Sequence, residues 1–488
     1  MRSLNSQRFI RAYKGASQDR LTADWLSSGV DINHELRSQL PILRSRAREL
    51  EQNNNLARRF LKLCQTHIVG PDGFALQVQA VTNRGEVDSD SNNLVEKDFK
   101  RWSRKGVCEL TGLYSFVSIQ RTTARTTARD GESLLRMYDV RPTARNPWGF
   151  VVEMLDPSRL DHRLNDDLRN GNRIRMGIEL NAAGRPVAYH LKKSNRYDIN
   201  ISADMHERVD AEDIIHWFTP DRAEQLRAAT WMSSAMLSMH QNEAYMDTAI
   251  VAARAGAAKM GFIKTDRDVD PSGSIADEDG QLYEELEPGV IGQIGIDDDF
   301  IGFDPKYPHE GFGPFIKVNQ RGIAAGLEVS YHTLTGDLTD VNFSSIRSGV
   351  LEERESWKVL QNSFAESINE RIYLRWLAAS DLVGRAAKLG LRREGFYERF
   401  SEHRWQGRRW SWVDPLKDIK AVIESINAGL TSPQRVASEM GVDINEVLDQ
   451  IANFQKTMIT KNVNLPVYTK QPNVSVEEES DDVANKKG

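Results

Sequence analysis

The stretch SYHTLTGDLTDVNFSSIRSGVLEERESW, residues 330–357, places two carboxylates, Asp337 and Asp340, beside a glycine and several hydroxyls. Paired carboxylates can share a proton or hold a divalent cation, the chemistry of hydrolases and metal-dependent nucleases. That chemistry needs a partner base or further ligands, and the chain supplies no strong motif for either. Its ten histidines are scattered, with no ligand pair at helical spacing, and there is no HExxH helix, GxSxG elbow or GxxxxGK[ST] phosphate loop. Asp, Thr, Gly and Asn are equally the residues of turns and helix caps. The expected role of the stretch is therefore structural. A metal-dependent nuclease or hydrolase using Asp337, Asp340 and the acid cluster at 266–279 is the alternative, and it predicts DNA cleavage lost on Asp337→Ala.

Three other patterns invite a chemical reading. In DVDPSGSIADED, residues 268–279, Asp268, Asp270 and Ser272 fall at positions 1, 3 and 5 of a calcium loop, Gly273 at 6, Ile275 at 8 and Asp279 at 12. Pro271 interrupts it and no matched helices flank it, so a solvated acidic loop is expected and no metal or other cofactor. RTTARTTAR sets Arg121, Arg125 and Arg129 four residues apart on one helix face. Such a face can meet phosphates or an acidic neighbour, but a solvated face is the expectation. TSPQRVASEMGVDINEVLDQI has the outline of a helix-turn-helix. Its second helix carries Glu446 and Asp449 and no arginine, whereas a recognition helix needs donors for base edges and phosphates. A packing module is expected.

These segments sit in a chain of 488 residues with 27% charged and 40% apolar residues, an ordinary soluble composition. The net charge of -6 argues against a surface that clamps nucleic acid, which needs a basic excess. Cys64 and Cys108 have no metal-like spacing and are expected to be buried free thiols, as in a reducing compartment. MRSLNSQRFIRAYKGA lacks the apolar region of a secretory signal, and no window is long enough to span a bilayer, so a soluble intracellular product with no membrane partner is expected.

Periodicity sets out the scaffold. LARRFLKLCQTHIVG, from Leu56, reads as a helix stopped at Gly70-Pro71, and FALQVQAV as a strand. Residues 93–129 read as helical throughout. GESLLRMYDV, VVEMLDP, RIRMGIEL, PVAYHL and DAEDIIHWFTP read as strands, giving an α+β first half with a mostly antiparallel sheet. A helix is expected over 228–260, another from Pro314, and short strands around VIGQIGI and FIGFD between them. A long helix follows from Ser344 to Ser380, roughly 50 Å, with Ile346, Val350, Trp357, Leu360, Phe364, Ile368, Ile372 and Trp376 on one apolar stripe. Thr431 or Ser432 is placed to cap a helix beginning at Pro433. Trp25 and Leu26 are expected to anchor the polar N-terminal arm.

Taken in order, the segments from about residue 40 to 455 resemble the lambda-type family of tailed-phage portal proteins. The matching blocks include SRARELEQNNNLARRFLKLCQTHIVG, FKRWSRKGVCELTGLYSFVSIQR, ARDGESLLRMY, GIELNAAGRPVAYHL, EDIIHWFTPDRAEQLRAAT, LEPGVIGQI and WVDPLKDIKAVIESINAGL. The most specific is IAAGLEVSYHTLTGDLTDVNFSSIR. Ala228 stands where the family often has glycine, and Phe343 where tyrosine is common. The resemblance implies the portal fold and a non-enzymatic, ring-forming protein, a dodecamer at one capsid vertex of the virion, assembled in the host cytoplasm. Double-stranded DNA would pass through its channel. The implied partners are the terminase large subunit, head-tail adaptor proteins, and the major capsid and scaffold proteins. The implied organisation is an N-terminal arm and wing (1–230), a first stem helix (231–256), a clip (257–312) and a second stem helix (313–328). A tunnel loop with a long wing helix (329–400), a crown-like helical module (401–462) and a flexible tail (463–488) follow. The implied tunnel loop is Thr335, Gly336, Asp337, Leu338, Thr339, Asp340, Val341, Asn342 and Phe343, with Asn342 or Ser344 capping the helix behind it.

Overall fold

The computed structural model describes residues 29–82, 84–193, 205–257, 261–265, 275–276, 282–283, 291–295, 311–339, 343–410, 415–439 and 444–461. The anchors Trp25 and Leu26, most of the acidic loop, the FIGFD strand and the tail lie outside the described residues.

Helix α1 (Ile32–Asn53) begins at Asp31, whose side chain accepts from the His34 amide. It breaks at Asn54, whose Oδ1 accepts from the amides of Leu56 and Ala57 and so starts α2 (Asn55–Cys64). One π turn (Gln65–Val69) extends α2 to Gly70, at φ +79°, where the sequence placed the stop. Strand β1 (Ala75–Val78) follows. The single helix expected over 93–129 is two, α3 (Ser89–Trp102) and α4 (Phe116–Asp130). Gly106 and Gly112, at φ +84° and +74°, turn the chain between them, and Ser115 caps α4 by accepting from the Ser118 amide.

The five strand segments expected between 131 and 220 form two antiparallel sheets rather than one. Strands β2 (Glu132–Asp139) and β3 (Phe150–Leu155) pair in the first. The second has β4 (Asp166–Asp167), β5 (Arg173–Arg175), β6 (Ile178–Leu180), β7 (Pro186–Lys192) and β8 (His206–Asp210) in sequence order. Strand β9 (Ile214–Phe218) returns to the first sheet, giving the order β3-β2-β9. RIRMGIEL is a hairpin, because Met176 and Gly177 at φ 48° and 83° make the two-residue turn that joins twisted strands.

The helix expected over 228–260 starts later, as α5 (Met236–Ala257). In the following segment β10 (Gly261–Thr265) pairs in parallel with β13 (Ile291–Gly295), and β11 (Ile275–Ala276) pairs with β12 (Leu282–Tyr283). Helix α6 (Phe312–Gly326) carries Pro314 in its first turn, as expected, and runs beside α5, with Asn319 Nδ2 donating to Asn242 Oδ1 at 3.1 Å. After the short α7 (Tyr331–Thr335), the long helix runs as α8 (Phe343–Phe364), a π turn (Ala365–Asn369) and α9 (Glu370–Leu382). Its stripe is the spine of the core: Trp357, Phe364, Ile368, Ile372 and Trp376 are buried. Phe364 stacks on Phe74 and meets Trp217 edge-on. Ser344 lies inside α8 and is not its cap, since the helix begins one residue earlier; Asn342 is outside the described residues.

Helices α10 (Arg385–Lys388) and α11 (Phe396–Ser401) lead into β14 (His403–Gln406). Strand β14 pairs antiparallel with β1 and joins segments far apart in sequence. Close by, His67 stacks between Trp357 and Trp410 and accepts from the Trp410 indole at 3.0 Å. Beyond lie α12 (Pro415–Asn427), α13 (Pro433–Glu439) and α14 (Ile444–Thr460). Ser432, not Thr431, caps α13, its Oγ accepting from the Arg435 amide.

Candidate channel turn and its supports

Residues 330–339 form a tightly bonded turn between α6 and α8. Ser330 caps α7 by accepting from the Thr333 amide, and Gly336 ends it at φ +77° with its amide on the His332 carbonyl. Thr335 thus belongs to α7 and Phe343 to α8, while Gly336–Thr339 is the described part of the expected loop. Asp340, Val341 and Asn342 lie outside the described residues.

Asp337 organises the turn. Its Oδ1 accepts from the Thr339 amide at 3.0 Å and the Thr339 hydroxyl at 2.6 Å; its Oδ2 accepts from the Tyr331 hydroxyl at 2.8 Å and lies 3.4 Å from Lys317 Nζ. The Thr339 and Tyr331 donors hold this carboxyl well below the usual carboxylate range. Its backbone carbonyl meets His332 Nδ1 at 2.8 Å. With both oxygens engaged within the turn, Asp337 is shaped as an anchor and not as a general base. Leu338, the next residue, is 62% exposed.

Both neighbouring helices grip the root of the turn. Glu353 of α8 accepts from the Ser330 amide, the Thr333 hydroxyl and the Trp357 indole. From α6, Lys317 and Arg321 lie against the Tyr331 ring, 6.0 and 5.6 Å from its centroid. Arg59 of α2 reaches the Thr333 carbonyl at 3.4 Å.

The arginine row of α4 differs from the solvated face expected of it. Arg125 and Arg129 pair with Glu51 of α1 at 2.6 and 2.8 Å, and Arg121 donates to the Gly70 and Pro71 carbonyls. The row bonds α4 to α1 and to the end of α2. Of the calcium-like loop, only Ile275 and Ala276 are described, and they form β11.

Sequence reasoning missed the most heavily charged site, a fully buried cluster on Glu132. Its carboxylate accepts from Arg227 Nε at 2.9 and 2.8 Å, from Arg44, and pairs with His216 Nε2 at 3.1 Å. Burial pushes this pKa up, but Arg227, Arg44 and His216 overcome it and hold Glu132 well below the carboxylate range. Burial also lowers the pKa of His216, against the pull of Glu132, so its ring is neutral. Arg227 further donates to the Met176 carbonyl at 2.9 Å. The signal lay in two of the family-like blocks, ARDGES and QLRAAT, which meet here. Gly131 sits at φ +89°, and a Cβ there would lie 2.2 Å from the Ala228 carbonyl oxygen.

Among known sequences, the profile described as "Phage portal protein, lambda family" matches residues 18–361. The "Probable portal protein" of Halomonas phage phiHAP-1 is 34% identical over 450 residues, covering 91% of this chain and 86% of that protein. "Portal protein B" of Escherichia phage lambda is 24% identical, covering 83% and 82%. Among solved structures, a chain of the neck of an empty gene transfer agent particle aligns over 83% of this chain and 93% of its own, at 13% identity and a TM-score of 0.41. That superposition is too loose to add to the sequence match.

The chain belongs to the lambda family of phage portal proteins. It is a structural, ring-forming component of the virion with the α+β portal fold.

Proposed function

We propose that twelve copies of the chain close into the ring at one capsid vertex, and that double-stranded DNA passes through its centre during packaging and ejection. In this reading the α+β body, 1–230 with 329–400, is the wing, which meets the major capsid and scaffold proteins. Helices α5 and α6 are the stem. Residues 257–312 are the clip, which receives the terminase large subunit first and head-tail adaptor proteins afterwards. Residues 401–462 are the crown. The net charge of -6 suits a conduit: a strongly basic lining would hold DNA by counterion release, whereas a neutral or acidic one lets it slide.

The tunnel loop is Thr335–Phe343. The observation that carries this assignment is the contrast between its root and its tip. Asp337 and Glu353 fix the root to α6, α7 and α8, while Leu338 stands exposed. A loop that meets moving DNA sterically needs such a root, because force on the tip must be borne by packed helices. No observation favours the nuclease reading, in which Asp337 would need an oxygen free for metal or water.

Deleting residues 338–342 tests the assignment while leaving Asp337 in place. Rings should form as in the unaltered protein, seen by electron microscopy, and DNA packaging or retention in assembled heads should fall sharply. Full-length genome packaging and retention by the deletion variant would remove the loop from the mechanism.

A further inference from the structure

The C-terminal helices, whose outline resembles a DNA reader with no arginine on its second helix, carry two unusually regular apolar rows. On α12 and its cap Leu416, Ile419, Ile423, Ile426 and Leu430 recur at intervals of 3, 4, 3 and 4. On α14 Ile444, Val447, Ile451, Phe454 and Met458 repeat the same intervals. A strict 3.5-residue period is the seam of one helix lying along another, not the broader face of a helix resting on a globular core.

The α12 row extends into a Schellman cap. The Leu430 amide donates to the Ser425 carbonyl and the Gly429 amide to that of Ile426, with Gly429 at φ +70°. The row is nevertheless open to solvent: Leu416 is 65% exposed, Ile423 51% and Leu430 79%. On the α14 row Phe454 is exposed, Ile444, Val447 and Ile451 are half-buried and Met458 is buried. A 13-residue helix is marginal without packing on its apolar side.

We infer that the α12 row of one copy packs along α14 of a neighbouring copy in the ring. The occupant follows from three observations. The two rows have equal length and period, so Leu416–Leu430 can lie against Ile444–Met458 in one register. A ring closed by rotation needs two different complementary faces on each copy, and α12 and α14 supply them. The exposed row is on the order of 400 Å², large enough to mark an interaction site but short of the ~800 Å² per partner of a freestanding interface. It therefore fits a contact added to a larger one between the same chains.

The inference rests on ring assembly, and the test separates the two. Cys64 and Cys108 are buried and free, so cysteines placed at Ile423→Cys and Ile451→Cys report on the seam. In the full-length double variant, oxidation should give a ladder of covalent multimers up to the ring size. A mixture of the two single variants, assembled together, should give covalent dimers. Rings visible by electron microscopy with no ladder, or with cross-links confined to single chains, would overturn the seam and leave the portal reading standing. An unaltered protein that forms no rings at all would overturn both. As a second arm, Ile423→Glu with Leu430→Glu should raise the protein concentration needed for half-assembly at least tenfold, with unchanged helical circular dichroism. Assembly like that of the unaltered protein would contradict the inference.

Discussion

Glu132 and Asp337 are two carboxylates held ionised by their neighbours, one in the deepest part of the α+β body and the other at the surface. Glu132 is fully buried, and Arg44, Arg227 and His216 converge on it from α1, the segment before α5, and β9. Asp337 is 28% exposed, and its partners come from its own turn and from α6. The first joins segments far apart in sequence, so its loss leaves buried charges with nothing to face. The second fixes the shape of ten residues, so its loss alters a surface and leaves the body folded. The same chemical group is a fold determinant in one place and a local template in the other; burial and the reach of its partners decide which.

The comparison is broken most directly at Glu132. Removing one member of a buried charge cluster leaves the others uncompensated, so Glu132→Ala should lose about 3–5 kcal/mol, read from urea unfolding. An effect under about 1 kcal/mol would mean that water reaches the arginines. Next in size is Gly131→Ala. The left-handed backbone and the overlap with the Ala228 carbonyl predict a loss of about 2–3 kcal/mol, measured in the same way.

A smaller effect is expected from pH. Burial, with Arg408 nearby, lowers the His67 pKa to about 4. The unfolded chain takes up this proton near its ordinary value of 6.5, while the folded protein resists it. Stability linked to His67 is therefore complete above that value and declines as pH falls from 6.5 towards 4, by on the order of 1–2 kcal/mol. His216, buried and neutral, adds a loss of the same sign. His67→Asn should flatten the slope of melting temperature against pH over this range. The smallest effect on stability should come from Asp337→Asn: an unchanged urea midpoint, with DNA packaging reduced several-fold as the turn loses its anchor. A shifted midpoint with normal packaging would reverse the contrast drawn above.

What was legible in the sequence follows the same division between local and distant. The long helix, the stop at Gly70, the cap at Ser432 and Pro314 in the first turn of α6 were readable because each is set by neighbours a few residues away. The pairing of β1 with β14 was not, because four-residue strands so far apart in sequence carry no mark of one another. RIRMGIEL hid its hairpin because Met176, not a usual turn residue, takes the left-handed conformation before Gly177. The α4 arginines looked solvated because their partner Glu51 is on another helix. Glu132 was invisible as a hub for a similar reason: its partners lie 88, 84 and 95 residues away. Only the family-like blocks around it hinted that those stretches were constrained.

The crossing at the foot of α5 and α6 has a consequence for how such a protein can change. The Ser234 hydroxyl donates to the Gly326 carbonyl at 2.5 Å, and Gly326 packs against Ala235. Here α5 leaves the body and α6 returns to it, their first and last turns still buried in its core through Met236, Met239, Ile323 and Ala324. The spacing of the two ends is fixed whatever is strung between them, so residues can be gained or lost there without moving a strand of either sheet. The body and the excursion are thus free to diversify at different rates, one bound by its packing and the other answering only to what it touches.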